Sequence, residues 1–213
     1  MSTSPRTSAS ADDADWGAYY RRTAGRAPRP LLLDALPHLN PAGPLRAVDL
    51  GCGDGTETLH LLRAGLEVTA IDREPGALQA LRCRAKQAGL ASLLTTVCQD
   101  LAQDVPGTIP QRTDLVVACA SLPFLSGPDL AALWTRMLAA LRPGGVLAVH
   151  LFGDRDSWAA GQSAVEGMTF HRRDEVENLV AGLKVLHLEE REFDGPSGRG
   201  PKHWHRYDVI ARR

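Results

Sequence analysis

Residues 48–56 read VDLGCGDGT and contain three glycines at alternate positions, Gly51, Gly53 and Gly55. The apolar residues before them are typical of a buried strand, and a helical pattern begins at Thr56. Glycine permits the left-handed backbone of a tight turn and lets a ligand lie against bare main chain. The stretch therefore predicts a strand–turn–helix unit that binds a ligand at the N-terminus of its helix.

The charge of this turn indicates which kind of ligand it binds. Asp49 and Asp54 lie in or beside it, and their carboxylates would repel a diphosphate. A ligand that carries an ammonium group suits them instead. The turn also departs from the GxGxxG pattern of NAD-dependent dehydrogenases, because Thr56 stands at the position of the third glycine. Both observations disfavour a nicotinamide cofactor.

Two further acidic residues follow the next two predicted strands. Asp72 lies about 20 residues after Gly51, where an acidic residue accepts hydrogen bonds from ribose hydroxyls. Asp100 precedes Leu101, and this pair suits the amino group and the ring of an adenine. Each aspartate also has a structural interpretation, since Asp72 could cap the following helix and Asp100 could form a turn.

Strand and helix patterns alternate outward from the glycine turn. Strands are predicted at 45–50, 66–71, 93–98, 115–119, 146–152, 184–192 and 203–211. Helices are predicted at 56–63 and 74–87, after the N-cap Ser126, and at 173–179. Such alternation builds a parallel sheet with helices on both faces, and ligands bind at the carboxyl ends of its strands. We expect one domain over residues 14–213, with a helical segment at 14–40, after a disordered polar tail at 1–13.

Composition excludes several classes of function. The chain has 213 residues, enough for one substantial core, and its net charge of −1 gives no general attraction to nucleic acid or anionic membrane. No apolar run is long enough to cross a bilayer, and the N-terminus lacks the apolar region of a secretory signal. Four separated cysteines without a CxxC pair argue against a zinc site and favour a cytoplasmic protein.

In these motifs the chain resembles the class I S-adenosylmethionine-dependent methyltransferases. The resemblance rests on DLGCGDGT, Asp72, Asp100-Leu101, DLVVACASLPFL and LRPGG, in that order along the chain. The closing segment PKHWHRYDVIAR resembles the small bacterial group of tellurite-resistance and thiopurine-type methyltransferases. The family implies a single Rossmann-like α/β domain. Its seven-stranded sheet has the order 3-2-1-4-5-7-6, with strand 7 antiparallel and helices on both faces.

The resemblance also implies which residues bind the cofactor S-adenosylmethionine and its product after transfer, S-adenosylhomocysteine. Asp49 would face the amino group of the cofactor, Asp72 its ribose, and Arg73 its adenine. A lid formed by 14–40 would supply Tyr19 or Tyr20, and either Arg22 or Arg26 would reach the cofactor carboxylate. The expected cofactor-binding residues are Tyr20, Arg26, Asp49, Gly51, Cys52, Gly53, Asp72, Arg73, Asp100, Leu101, Ala118 and Cys119.

The acceptor site is expected at the strand-end segments SLPF, GDRDSW and KHWH, whose aromatic residues would form part of its walls. His203 and His205 share a face if KHWH is a strand, so one of them could act as a base or contact the substrate. Asp154 is the third catalytic candidate. The alternatives are a hydrogen-bonded histidine pair and a turn in which Asp154 and Asp156 bind Arg155. No metal is expected, since no third ligand accompanies the histidines.

The expected activity is methyl transfer from S-adenosylmethionine to a small molecule, with neither nucleic acid nor a membrane as a partner. No NPPY-like or DPPY-like tetrapeptide follows the fourth strand, where SLPF stands, and this disfavours a nucleic-acid methyltransferase. A sensor or partner protein that binds the same cofactor without catalysis fits the same motifs. Turnover with a set of acceptors would distinguish the two, and the sequence leaves the oligomeric state open.

Overall fold

One seven-stranded sheet forms the centre of the protein. The computed structural model describes residues 16–23, 25–40, 43–103, 105, 107–162, 167–197 and 200–213. The strands are β1 (Arg46–Leu50), β2 (Glu67–Asp72), β3 (Leu94–Cys98), β4 (Thr113–Ala118), β5 (Leu141–Phe152), β6 (Lys184–Ser197) and β7 (Gly200–Arg212). Their order is β3-β2-β1-β4-β5-β7-β6, and β7 runs antiparallel to β5 and β6, which confirms the predicted topology. The polar tail predicted at 1–13 lies outside the described residues.

The helices cover both faces of this sheet. They are α1 (Trp16–Thr23), α2 (Pro30–Ala35), α3 (Thr56–Arg63), α4 (Pro75–Gln87), α5 (Gly127–Ala140) and α6 (Arg173–Val180). Buried residues of α5 and α6 pack on one face of the sheet, and those of α2, α3 and α4 pack on the other. No helix in the described ranges combines the length and the apolar character that crossing a membrane requires.

The central strands are buried because helices cover them from both sides. Every residue of β4 is buried, and its alternate side chains enter the two opposite cores. The predicted cap of α5 is confirmed, since the Asp129 backbone N–H donates to Ser126 Oγ at 3.3 Å. Parallel pairing of β1 with β2 and with β4 places the carboxyl ends of these strands at one edge of the sheet.

The terminal hairpin is longer than predicted. The sequence patterns ended one strand at residue 192 and began the next at residue 203, but Pro196 pairs with Pro201 and Ser197 pairs with Gly200. Antiparallel pairing between β6 and β7 therefore includes residues 193–197 and 200–202, which the sequence patterns left outside both strands. The added length carries the start of β7 toward the carboxyl end of β5.

The glycine turn after β1 has the conformation that its sequence predicts. Gly51 and Gly53 have φ values of 69° and 52°, which favour glycine. The N–H groups of Gly51 and Cys52 donate to the Ile71 carbonyl at 2.8 and 3.0 Å, so the turn is bonded to the end of β2. A Cβ on Gly53 would lie 2.7 Å from the ring of Tyr20. The turn thus lies directly beneath helix α1.

Candidate functional site

A cavity of about 470 Å³ opens at the carboxyl ends of the parallel strands. Its volume lies within the range of roughly 300–1,000 Å³ that is usual for small-molecule sites. One end lies around the glycine turn and the residues that follow β2 and β3, and the other end is aromatic. It is lined by Trp16, Tyr19, Tyr20, Thr23, Arg26, Arg29, Asp49, Gly51, Cys52, Gly53, Asp54, Glu57, Asp72, Arg73, Gln99, Asp100, Leu101, Cys119, Ala120, Ser121, Phe124, Leu125, Phe152, Trp158, Trp204 and Arg206.

The cavity brings together the expected cofactor-binding residues except Ala118. That residue is completely buried in β4, and Ala120 lines the cavity instead with a left-handed φ of 61°. No feature of the sequence indicated this backbone conformation at an alanine. The side chain of Arg22 lies outside the described residues, whereas Arg26 lines the cavity.

Asp72 joins the glycine turn, helix α1 and the start of α4. Its Oδ2 accepts hydrogen bonds from the Gly53 N–H at 2.8 Å and from the Tyr20 hydroxyl at 3.3 Å. Its Oδ1 accepts from the Glu74 N–H at 2.9 Å, so the residue also stabilises the start of α4. Burial raises the pKa of Asp72, although these hydrogen bonds oppose the rise. The carboxylate is thus held at the cavity wall by neighbours on three elements.

Asp49 is a buried carboxylate, and no described residue is a cationic hydrogen-bond partner for it. The Thr58 hydroxyl donates to its Oδ2 at 2.6 Å. Burial, followed by the negative charge of Glu57, raises the pKa of Asp49 to about 7. Because this side chain lines the cavity, a ligand ammonium group beside it would favour the ionised form again.

Arg26 and Glu57 form an ion pair in the cavity wall that the sequence did not indicate. Arg26 donates to both Glu57 carboxylate oxygens, and its Nη2 lies 3.7 Å from Asp54 Oδ1. Burial alone would raise the pKa of Glu57, but the hydrogen bond and charge of Arg26 together with Arg29 lower it. One feature of the sequence could have indicated a role for Glu57 in the site, namely its position in the first turn of the helix that follows the glycines. The ion pair holds the Arg26 guanidinium, from the segment after α1, against α3.

Asp100 both forms a turn and lines the cavity. Its Oδ1 accepts from the Ala102 N–H at 2.9 Å, as the structural interpretation predicted. Its Oδ2 accepts from Arg73 Nη1 at 3.3 Å, and the adjacent Leu101 is partly buried against the core. The acid, the arginine and the leucine therefore lie together after β2 and β3.

Aromatic rings from separate segments form the other end of the cavity. The ring centroids of Phe152 and Trp204 lie 5.6 Å apart, and those of Phe152 and Trp158 lie 6.2 Å apart. Trp16 of α1 packs edge-on against Phe124 at 4.7 Å. Trp158 and Phe124 were expected here because they belong to the segments GDRDSW and SLPF. Helix α1 also lines the cavity, as the predicted lid would. Phe152 was missed because it lies within an apolar strand.

The three predicted catalytic residues do not line this cavity. His203 is exposed, and its ring nitrogens lie 2.9 Å from Asp194 and 3.2 Å from Glu192, which raise its pKa. His205 is buried, where its Nδ1 accepts from the Arg155 N–H at 3.0 Å.

Trp204 and Arg206 occupy the alternate positions of β7 and line the cavity, whereas Asp154 is exposed and lies 3.5 Å from His205. The histidines thus adopt the hydrogen-bonded arrangement that was the structural interpretation, and we do not assign them to the acceptor.

Glu190 and Glu192 supply oxygen atoms close to His205, a combination that the sequence pattern did not indicate. Their donor atoms and that of His205 lie within 4.8 Å of one another. Arg155 Nη2, however, lies 2.5 Å from Glu190 and 2.6 Å from Glu192. The guanidinium takes the place that a metal cation would need, so this cluster is an ion-pair network of the β6–β7 hairpin.

Comparison with known sequences identifies related proteins. Residues 47–145 match the sequence profile of a family described as a methyltransferase domain. Trans-aconitate 2-methyltransferase of Methylobacterium radiotolerans is 35% identical over 141 residues, which cover 65% of this chain and 50% of that protein. The enzyme of that name from Acidovorax ebreus is 31% identical over 175 residues, covering 78% and 64% of the two chains. The chain spans about half the length of the first relative.

Solved structures share the fold. TehB from Haemophilus influenzae superposes with a TM-score of 0.73 at 18% identity, covering 93% of this chain and 67% of its own. The 1,6-didemethyltoxoflavin-N1-methyltransferase of Burkholderia thailandensis, solved with S-adenosylhomocysteine, gives 0.64 at 20% identity, covering 93% and 85%. Likeness at this identity shows the fold alone. The placement in the tellurite-resistance and thiopurine-type group therefore stays a prediction.

Proposed function

We propose that the chain is a class I S-adenosylmethionine-dependent methyltransferase and that it transfers the methyl group of S-adenosylmethionine to a small molecule. One observation carries the proposal. A single cavity connects the glycine turn and Asp72 with a chamber lined by aromatic rings. Such a cavity provides adjoining places for a cofactor and an acceptor, which a direct transfer requires.

The residues around the glycine turn suit the methionine part of the cofactor. Gly51 and Gly53 expose bare backbone to the cavity, and Asp49 places a carboxylate beside them. The raised pKa of Asp49 marks a buried acid that a cofactor ammonium group would stabilise in its ionised form. Arg26 is the cation that we assign to the cofactor carboxylate, since it lines the same end of the cavity.

The residues after β2 and β3 suit the adenosine part. We assign Asp72 to the ribose hydroxyls, because both of its oxygens are acceptors held in place by backbone N–H groups. Asp100 is assigned to the adenine amino group, and Leu101 and Arg73 to the faces of the ring. Tyr20, Cys52 and Cys119 complete the wall around the cofactor.

The protein's contribution to the reaction is alignment and exclusion of water. S-adenosylmethionine supplies, when bound, a methyl group already activated by its sulfonium. Trp16 and Phe124 both line the cavity and pack together edge-on, and we assign this pair to the exclusion of water from its interior. Orientation of two reactants in such a site can contribute roughly 7–11 kcal/mol to lowering the barrier.

The named relatives suggest the first acceptor to examine. Those of 31–35% identity described above are called trans-aconitate 2-methyltransferases, so we include trans-aconitate among the small molecules to be tested. The alternative is a cofactor-binding sensor or partner protein without catalysis. Only turnover separates this alternative from an enzyme, because both would use the same cofactor residues.

The test is methyl transfer itself. Incubation with S-adenosylmethionine labelled in its methyl group, trans-aconitate and a set of uncharged and aromatic small molecules is expected to yield S-adenosylhomocysteine only when an acceptor is present. Mass spectrometry would identify the labelled product. Cofactor binding without release of S-adenosylhomocysteine, across the whole acceptor set, would contradict the proposal and favour the sensor.

The same assay tests the position of the histidines. His203→Ala is expected to leave the transfer rate within about threefold, because the exposed ring pairs with Asp194 and Glu192 outside the cavity. A much larger fall in rate, at unchanged cofactor affinity, would contradict this expectation and indicate that His203 acts on the acceptor.

A further inference from the structure

We infer that the acceptor is a planar, conjugated carboxylic acid that is methylated on its carboxylate oxygen. Its ring system would lie against Phe152, Trp158 and Trp204, and its acid group would meet Arg206. This inference rests on the proposed methyl transfer, since it names the acceptor of the same cavity. It depends on four features of the aromatic end of that cavity.

The first feature is a nearly continuous wall of rings. Phe152, Trp158 and Trp204 have mutual centroid distances of 5.6–6.2 Å, and Phe124 lies 6.3 Å from both Phe152 and Trp158. A flat conjugated molecule buries its surface against such rings in edge-on contacts, because Lys202 covers a face of Trp158 and of Trp204. A saturated polar chain would lose water there without gaining hydrogen-bond partners.

The second feature is a protein cation already bound to these rings. Lys202 Nζ lies 3.5 Å from the ring centroid of Trp158 and 3.9 Å from that of Trp204. It pairs with Asp156 Oδ1 at 2.6 Å, and both side chains are buried. The ion pair fixes the two tryptophans and occupies the cation–π positions that a quaternary ammonium acceptor would use. The chamber therefore disfavours a cationic acceptor.

The third feature is a single arginine beside the rings. Arg206 lines the cavity, and its Nε and Nη2 donate to Asp208 at 2.6 and 2.9 Å. No hydrogen bond between described residues uses its Nη1 amino group. The other arginines of the cavity wall pair with Glu57 or Asp100. The Nη1 amino group of Arg206 suits a carboxylate that lies beside the rings.

The fourth feature concerns proton transfer. Among the described residues, the carboxylates that line the cavity all lie near its cofactor end: Asp49, Asp54, Glu57, Asp72 and Asp100. None of the described residues lining the aromatic end is an aspartate, a glutamate or a histidine. An alcohol or a protonated amine would need a base there, whereas a carboxylic acid, with an ordinary pKa of about 4, has already lost its proton.

The resulting step is balanced without any further reactant. The carboxylate oxygen forms a bond to the methyl carbon while the bond from that carbon to sulfur breaks. The electron pair of the broken bond stays on sulfur, so the sulfonium becomes a neutral thioether and the acid becomes a methyl ester. No proton moves, which agrees with the residues available at this end of the cavity.

The test compares matched probes in the presence of S-adenosylhomocysteine. Calorimetry would measure binding of benzoate, cinnamate and indole-3-carboxylate, the corresponding alcohols, and hexanoate as an acid without a ring. At least one ring acid is expected to bind about tenfold more tightly than both its alcohol and hexanoate. Arg206→Gln should bring that acid to the level of its alcohol, and Arg82→Gln, exposed on α4 and outside the cavity wall, should not.

S-adenosylhomocysteine affinity, measured first on each variant, shows that the variant is folded. The inference is overturned if hexanoate matches every ring acid, if no ring acid exceeds its alcohol in the wild-type chain, or if folded Arg206→Gln keeps the preference for the acid. Transfer from labelled S-adenosylmethionine to an alcohol but to no acid would also overturn it while leaving the proposed function intact. Selective binding of a ring acid without any transfer would contradict the proposed function and the methylation step that rests on it, and it would leave only the assigned binding site for the acid.

Discussion

Replacement of Asp72 by alanine is expected to weaken S-adenosylmethionine binding by roughly 10- to 150-fold. This range corresponds to about 1.5–3 kcal/mol for hydrogen bonds to a charged group. The carboxylate is buried, and its two oxygens are held by the N–H groups of Gly53 and Glu74. We assign those oxygens to the ribose, so alanine would remove the ribose acceptors together with part of the turn's support.

Calorimetry with S-adenosylhomocysteine, combined with a thermal unfolding curve for each variant, measures this effect. Asp114→Asn is the matched control, because Asp114 is also a buried strand aspartate but pairs with Arg142 at the opposite end of β4. The control should lose stability without losing cofactor affinity. If Asp72→Ala folds and binds the cofactor as tightly as the wild-type chain, Asp72 merely supports the turn and the start of α4.

Cofactor affinity is expected to increase about tenfold for each pH unit between pH 5 and pH 7. The pKa of Asp49 in the free protein is about 7, and the proposed contact with the cofactor ammonium group requires the ionised carboxylate. Below pH 7 the free protein carries a proton on Asp49 that binding must release, which costs about 1.4 kcal/mol per unit. An α-amino group remains charged throughout this range, since its ordinary pKa is about 8.

Calorimetry in buffers of different ionisation enthalpy would count the proton released on binding. The wild-type chain should release close to one proton at pH 5, and Asp49→Asn should release none and show a nearly flat affinity between pH 5 and pH 7. The assignment of Asp49 fails if the wild-type affinity is also flat, or if the asparagine variant keeps the full pH dependence.

The turn and the cofactor end of the cavity were predictable because their determinants are local. A left-handed backbone at Gly51 and Gly53 needs glycine, and the spacing to Asp72 follows from one strand–helix–strand unit. Apart from Tyr20 and Arg26, which precede β1, the remaining cofactor residues lie at or after the strand ends, and the parallel topology brings these to one edge. Glu57 was missed because its role depends on Arg26 in the segment between α1 and α2, and Ala120 was missed because its role depends on an unusual backbone angle.

The acceptor end was less predictable because it is assembled from distant segments. Alternation along β7 correctly gave His203 and His205 a common face. It did not specify which face is directed toward the cavity, because this depends on how β7 pairs with β5 and β6. The structure gives the cavity face to Trp204 and Arg206, and it leaves the histidines to pair with residues of β6 and of the loop after β5.

The most direct test of the account is calorimetry of the unmodified chain with S-adenosylhomocysteine and, separately, with NAD. The glycine turn flanked by Asp49 and Asp54, together with Asp72, predicts that S-adenosylhomocysteine binds with a dissociation constant on the order of micromolar. The same carboxylates should prevent binding of the NAD diphosphate. Binding of NAD, with no response to S-adenosylhomocysteine or S-adenosylmethionine, would contradict the central claim.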